Sequence, residues 1–254
     1  MEQRERVLIV SVQTTQTDED FAYANQELAQ LVDTAMGEVV ATVTQKRESI
    51  SGRTLVGKGK VEEISHLVDE LEVDLVVFYQ SLTGSMVKNL NESINCRIID
   101  RVQLILDIFA MRARSKEGKL QVQLAQLNYL LPRLSGQREG LSRQGGGIGT
   151  RGPGETRLET DRRYIRKQIQ DIEEQLEQIK KHRERSREKR KSSNGFQLGL
   201  IGYTNAGKST ILNQLTQAGT YQMDQLFATL DPLTRQVDLF PNFEVTLTDT
   251  VGFI

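Results

Sequence analysis

Residues 196–210, FQLGLIGYTNAGKST, decide how this chain is read. FQLGLI (196–201) has the apolar character of a buried strand. It runs directly into Gly202-Tyr203-Thr204-Asn205-Ala206-Gly207-Lys208-Ser209, and TILNQLTQA (210–218) after it reads as a helix. Strand, Gly-x4-Gly-Lys-Ser and helix in that order form a P-loop. The two glycines allow a tight loop whose backbone N–H groups point inward around phosphate oxygens. The helix sets its positive end beneath them. Lys208 supplies a point charge for the β- and γ-phosphates, and the Ser209 hydroxyl is a ligand for Mg²⁺. The same eight residues, 202–209, are thus the candidate cradle for a nucleoside triphosphate.

Downstream, EVTLTDTVG (244–252) reads as a second strand ending in Asp249-Thr250-Val251-Gly252. A carboxylate at that place is an expected outer partner of a P-loop Mg²⁺. The Gly252 N–H can approach a γ-phosphate. Between the two strands lies LFATLDPLTR (226–235). A threonine here that ligates Mg²⁺ only with the γ-phosphate present makes an order–disorder switch. Thr229 is the first candidate and Thr234 the second.

Toward the N-terminus the pattern is different but still α/β. RVLIVSVQ (6–13), GEVVATVT (37–44), DLVVFY (74–79) and CRIID (96–100) read as strands. Helical spacing separates them: Phe21, Leu28, Leu31 and Val32 within 18–35; Val61, Ile64, Leu67, Val68 and Leu71 within 59–71; and a third helix over 85–94. This alternation predicts a small parallel sheet with crossover helices, ending near Asp100. GKGK (57–60) lacks the strand–loop–helix context of a phosphate loop and reads as a helix entry.

From Val102 onward the chain turns helical. Leu120, Leu124, Leu127, Leu131 and Leu134 repeat at 4-3-4-3 spacing, with Pro132 predicting a kink or an end. Leu158, Ile165, Ile169, Ile172, Leu176 and Ile179 continue the spacing on another helix. The two seams suit an antiparallel hairpin; the alternative is that each binds a partner. The connecting segment, SGQREGLSRQGGGIGTRGPGETR (135–157), holds eight of the 20 glycines together with Arg138, Arg143, Arg151 and Arg157. Glycine permits close backbone approach and arginine pairs bidentately with phosphate, a combination suited to folded RNA. Charge points the same way. Residues 111–191 carry 21 of the 33 Lys+Arg but 11 of the 34 Asp+Glu, a net of +10 in a chain whose total is −1. A basic middle between acidic flanks is the footprint of a polyanion-binding segment. KKHRERSREKRK (180–191) is either a solvated helix end or a second RNA contact, and SSNG (192–195) marks a boundary.

The domain limits that result are 1–105 for the α/β unit, 106–193 for the hairpin with its Gly/Arg-rich loop, and 194–254 for the first part of a P-loop domain. Composition excludes other classes. Cys96 is the single cysteine and His66 and His182 the only histidines, so neither a disulfide framework nor a Cys- or His-rich metal site is available. No apolar run nears the ~20 residues that span a bilayer. A charged N-terminus leading into a strand is not a signal peptide. These features imply a monomer in a reducing, cytoplasmic setting, with ribosome or membrane association open.

GYTNAGKS, FATLD (227–231) and DTVG together resemble the HflX family and, less closely, the Obg proteins. GGGIGTRGPGETRLETDRR (145–163) and VGKGKVEEI (56–64) are similar to HflX as well, so the likeness covers the whole chain. The resemblance implies a GTPase that binds the large ribosomal subunit and its rRNA and splits or rescues stalled or hibernating ribosomes under stress. It implies nucleotide contacts from Phe227, Ala228, Thr229, Leu230 and Asp231 and from Asp249, Thr250, Val251 and Gly252. Lys208, Thr229 and Asn205 are then the catalytic candidates, and Ser209 and Thr229 the Mg²⁺ ligands. Asn205 matches the position that in potassium-dependent relatives helps hold K⁺. Phe253 follows Gly252 where many GTPases carry a water-orienting glutamine, so a low intrinsic rate is expected. The Asn-Lys-x-Asp motif that reads guanine is absent from these 254 residues. The chain therefore reads as a fragment that binds GTP poorly by itself. Two other readings are an RNA- or ribosome-binding module without turnover and an ATP-dependent protein acting on nucleic acid.

Overall fold

The computed structural model describes residues 4–134, 157–191, 196–203, 206–216, 233–240 and 243–249. Spatial clustering divides the chain into two compact units, residues 1–107 with 125–169 and residues 108–124 with 170–254.

The first unit is built on four strands: β1 (Glu5–Gln13), β2 (Gly37–Lys46), β3 (Leu75–Phe78) and β4 (Arg97–Asp100). They lie in the order β2-β1-β3-β4 and every pair is parallel. The predicted parallel sheet is therefore present. β1 is buried from Val7 to Gln13, because a central parallel strand is covered on both faces. Helices α1 (Asp18–Thr34), α2 (Lys58–Glu70) and α3 (Gly84–Asn91) make the crossovers. α1 begins where Thr17 Oγ accepts the Asp20 N–H, with Asp18, Glu19 and Asp20 complementing the helix dipole. Its buried stripe is Leu28, Leu31 and Val32, as the spacing predicts. GKGK forms the entry to α2, where the Gly57 N–H is held by Gln45 Oε1 at 2.9 Å. One core runs through Leu8, Val10, Val12, Ile64, Val68, Val76, Phe78, Leu82 and Leu90.

Helix α4 (Arg101–Arg112) follows β4 without a loop, because the Asp100 carboxylate accepts the Gln103 N–H at 3.0 Å and caps it. Helix α5 (Lys116–Arg133) is capped by Ser115 Oγ on the Gly118 N–H at 2.8 Å and ends one residue after Pro132. Helix α6 (Arg157–Lys191) has 35 residues and a length of about 52 Å at 1.5 Å per residue. Five of the six predicted seam residues can be followed: Ile165 and Ile172 are buried, and Ile169, Leu176 and Ile179 half-buried, while the Leu158 side chain lies outside the described residues. On α5 the predicted leucines are only half-buried, whereas Gly118 and Val122 are buried. A second stripe, 118-122-126-129-133, thus shares the burial of this helix. Within the second unit, Arg183 Nη2 meets Glu117 Oε2 at 2.8 Å and Nη1 meets Oε1 at 3.0 Å. This fork joins the first turn of α5 to the C-terminal half of α6, as an antiparallel hairpin requires.

The second unit also holds a three-stranded sheet, β5 (Phe196–Leu200), β6 (Leu233–Phe240) and β7 (Phe243–Asp249), in the order β5-β7-β6. β5 and β7 are parallel and β6 is antiparallel to β7. Helix α7 (Lys208–Thr216) packs Leu212 against Val237, Val245 and Leu247. Among the described strands β5 pairs with β7 alone, and Phe196 and Leu198 are 61% and 47% exposed. No helix of the described residues is long and apolar enough to cross a membrane.

Candidate functional site

The phosphate loop occupies the expected strand–loop–helix junction. β5 ends at Leu200, Gly202 and Tyr203 lead on, and Lys208 opens α7. The helix begins properly, since the Ile211 N–H bonds the Gly207 carbonyl at 3.0 Å. Gly207 has φ +83°, a left-handed conformation that costs an L-residue about 1–2 kcal/mol. A Cβ at Gly207 would meet nothing within 4 Å, so the demand for glycine there is conformational. Gly202 differs. A Cβ there would touch the Lys208 chain at an ordinary 3.8 Å, so protein atoms do not demand glycine at this position.

Lys208 folds back over the loop. Its ammonium donates to the Gly202 carbonyl at 3.0 Å and to the Tyr203 carbonyl at 2.6 Å. The charge is thereby held inside the turn and not on a free-swinging side chain. The Ala206 N–H bonds the Tyr203 carbonyl at 3.3 Å, which closes the loop from the other side.

Register brings in the second element. Leu200 of β5 is paired with Asp249 of β7 in a parallel ladder. Both strands therefore deliver their C-terminal ends to the same edge of the sheet. The P-loop leaves from one and the Asp249-Thr250-Val251-Gly252 stretch from the other. Asp249 is 1% exposed. A buried carboxylate beside a phosphate loop fits the water-mediated second layer of a Mg²⁺ that is held chiefly by phosphates. The described residues contain no group of three or more His, Cys, Asp or Glu that could hold a metal ion.

Other predicted residues distribute as follows. Tyr203, Ala206, Gly207 and Lys208 are brought together at the loop, while Thr204 and Asn205 lie outside the described residues. Ser209 is the second residue of α7, its side chain outside the description. Phe227, Ala228, Thr229, Leu230, Asp231, Thr250, Val251 and Gly252 also lie outside it. So do Arg138, Arg143 and Arg151, while Arg157 starts α6. The second switch candidate, Thr234, sits in β6 with its hydroxyl 3.0 Å from that of Thr248. β7 matches the strand expected over 244–252, whereas β6 and its hairpin with β7 are additional. The signal of the hairpin is the alternation of TRQVDLF and FEVTLTD around Pro241-Asn242.

Comparison with known proteins follows this geometry. Three family models match consecutive stretches: a GTP-binding GTPase N-terminal region over residues 22–110, a GTP-binding GTPase middle region over 112–190 and a 50S ribosome-binding GTPase over 197–254. The GTPase HflX of Alkalihalophilus pseudofirmus is 60% identical over 98% of this chain and 59% of its own length. The GTPase HflX of Escherichia coli is 46% identical over 98% of this chain and 58% of its own length. Among solved structures, an SsGBP in complex with GDP is 25% identical with a TM-score of 0.54, covering 98% of this chain and 63% of that one. The chain thus spans less than two thirds of these relatives. With three consecutive regions matched along nearly its whole length, the chain belongs to the HflX family of GTPases.

Proposed function

We propose that the full-length protein binds GTP on the 202–209 loop, hydrolyses it, and uses the nucleotide state to govern engagement of the large ribosomal subunit. Splitting or rescue of stalled or hibernating ribosomes under stress is the cellular outcome of that engagement. The observation that carries the reading is the parallel Leu200–Asp249 register, which sets the phosphate loop and a buried carboxylate at one sheet edge. The relatives' name, GTPase HflX, the GDP held by the solved SsGBP and the 50S ribosome-binding family model support it.

The chemistry is one of positioning. Loop N–H groups and the start of α7 hold the phosphates, and Lys208 neutralises charge on the transferred group. Ser209 and Thr229, together with the buried carboxylate of Asp249, would hold a Mg²⁺, which would supply neutralisation of phosphate charge. Asn205 is the candidate for K⁺. The Gly/Arg segment between α5 and α6, with Arg138, Arg143, Arg151 and Arg157, is the RNA-contacting element.

Phosphate release from the full-length protein, with and without large subunits, tests the reading. Lys208→Ala is expected to lower turnover at least about 100-fold, the scale of losing a main electrostatic contact to the transferred group. Undiminished turnover in that variant would remove the phosphate-site assignment. Neutralising Arg138, Arg143 and Arg151 together is expected to weaken large-subunit binding and flatten its salt dependence by roughly one unit of slope per lost phosphate contact. Unchanged co-sedimentation would take the loop out of the mechanism.

A further inference from the structure

Where the Gly/Arg segment leaves α5, the first unit contains a cluster that the nucleotide site does not use. Asp100, at the end of β4, is fully buried. Its carboxylate accepts the Leu82 N–H at 2.9 Å on Oδ2 and the Gln103 N–H at 3.0 Å on Oδ1. Both donors lie in the α/β fold itself and leave further acceptor sites on the buried carboxylate. α5 supplies two more groups. Arg133 Nη2 reaches Oδ2 at 3.1 Å, and Tyr129 stands near enough that, after burial, the carboxylate helps hold its phenol well above the ordinary range. The Arg133 guanidinium stacks on the Tyr129 ring, 3.4 Å from its centroid, and donates Nη1 to the Tyr129 carbonyl at 2.9 Å. Backbone contact fixes the same residue. A Cβ on Gly84, the first residue of α3, would come within 2.5 Å of the Arg133 carbonyl oxygen and 3.0 Å of its Cα. Only glycine lets the last residue of α5 lie this close to α3.

We propose that Asp100, Gly84, Tyr129 and Arg133 form a seat that positions the end of α5, and with it the entry to the 135–156 segment, for RNA engagement. The inference rests on the reading of that segment as the RNA-contacting element. Arg133 is the counter-charge of a fully buried carboxylate 33 residues away in sequence, and a pair of this kind holds its partners strongly because separating them leaves a buried charge unpaired. Arg133 is the last residue of α5, two residues before Ser135 opens the Gly/Arg run. A seat at that point fixes where the chain leaves α5.

A double-mutant cycle in the full-length protein tests this. Gly84→Ala drives a methyl into the Arg133 backbone while leaving every charge in place. It is expected to weaken large-subunit binding about tenfold, the order expected when a preorganised contact element loses its mounting. Intrinsic GTP turnover should stay unchanged, while the thermal midpoint falls because the methyl forces the Arg133 backbone to shift. In the Arg138→Ala, Arg143→Ala, Arg151→Ala background, Gly84→Ala should weaken binding no further, since the seat acts through the loop it positions. Additive losses, or parental affinity for Gly84→Ala beside a weakened triple variant, would overturn the seat and leave the RNA reading intact. Parental affinity for the triple variant would overturn the RNA reading and the seat with it. If Gly84→Ala fails to fold, Arg133→Lys, which keeps the positive charge beside buried Asp100 but loses the guanidinium stack on Tyr129, runs through the same cycle with the same expected and contrary binding results.

Discussion

Gly207 shows how far a single residue can be read in advance. The Gly-Lys-Ser spacing announces a phosphate loop, and the loop duly places Gly207 at φ +83°. Gly207→Ala should therefore impose about 1–2 kcal/mol of strain and weaken nucleotide binding about tenfold in a titration of the full-length protein. Unaltered affinity would show that the loop relaxes at no cost. Asp107 carries a different kind of information. Burial pushes its carboxyl above the usual carboxylate range, while a hydrogen bond from Gln103 at 2.8 Å pulls the other way. An acid whose folded value is raised favours the folded state when protonated. Stability is then present below the unfolded value and lost as pH rises through the ordinary range near 3.9 to the raised one. Asp107→Asn should raise the thermal midpoint at pH 7 by about 1 °C, the group being half exposed, and by nothing near pH 3. A gain at both pH values would contradict the assignment. Nothing in the spacing around Asp100 or Arg133 sets them apart from an ordinary strand-end acid and a helix-end base. Their meaning lies in a contact between residues 33 positions apart, and one sequence does not show which distant residues meet.

Elements with strong periodicity were the most legible. The four N-terminal strands and the α6 stripe follow from apolar runs and from 4-3 spacing, because a buried face imposes its period on the sequence. α5 was legible only in part. Its leucine spacing describes one face, but Gly118 and Val122 are its buried residues, and Tyr129 and Arg133 face Asp100. A helix covered on two sides has no single stripe to read. The β6–β7 hairpin escaped because its alternation is short and its first strand carries Thr234, Arg235 and Gln236. The α5–α6 pairing leads to a modest prediction. The Glu117–Arg183 fork is largely exposed on the arginine side, so Glu117→Gln should cost about 0.2–1 kcal/mol. That difference should vanish near ~1 M salt, where the screening length falls to ~3 Å. A salt-independent loss would mean that Glu117 stabilises the helix by another route, such as its place in the first turn.

At the scale of the molecule, two chemistries share one chain. A phosphate loop and buried Asp249 meet at the edge of one sheet. Residues 111–191 hold most of the basic charge, and a glycine- and arginine-rich segment joins their two long helices. The family and the P-loop were legible because both depend on short local motifs. Where Thr229 and Gly252 stand when nucleotide is bound was not legible, because that depends on the ligand itself. The account joins the two chemistries by linkage: a nucleotide that favours one state must change affinity for whatever that state binds, by the same factor in both directions. Co-sedimentation of the full-length protein with large ribosomal subunits, in a GTP analogue, in GDP and without nucleotide, measures this most directly. Binding at least about fivefold tighter with the analogue than with GDP, the lower end of ordinary coupling, is the predicted result. Equal binding under all three conditions would contradict it.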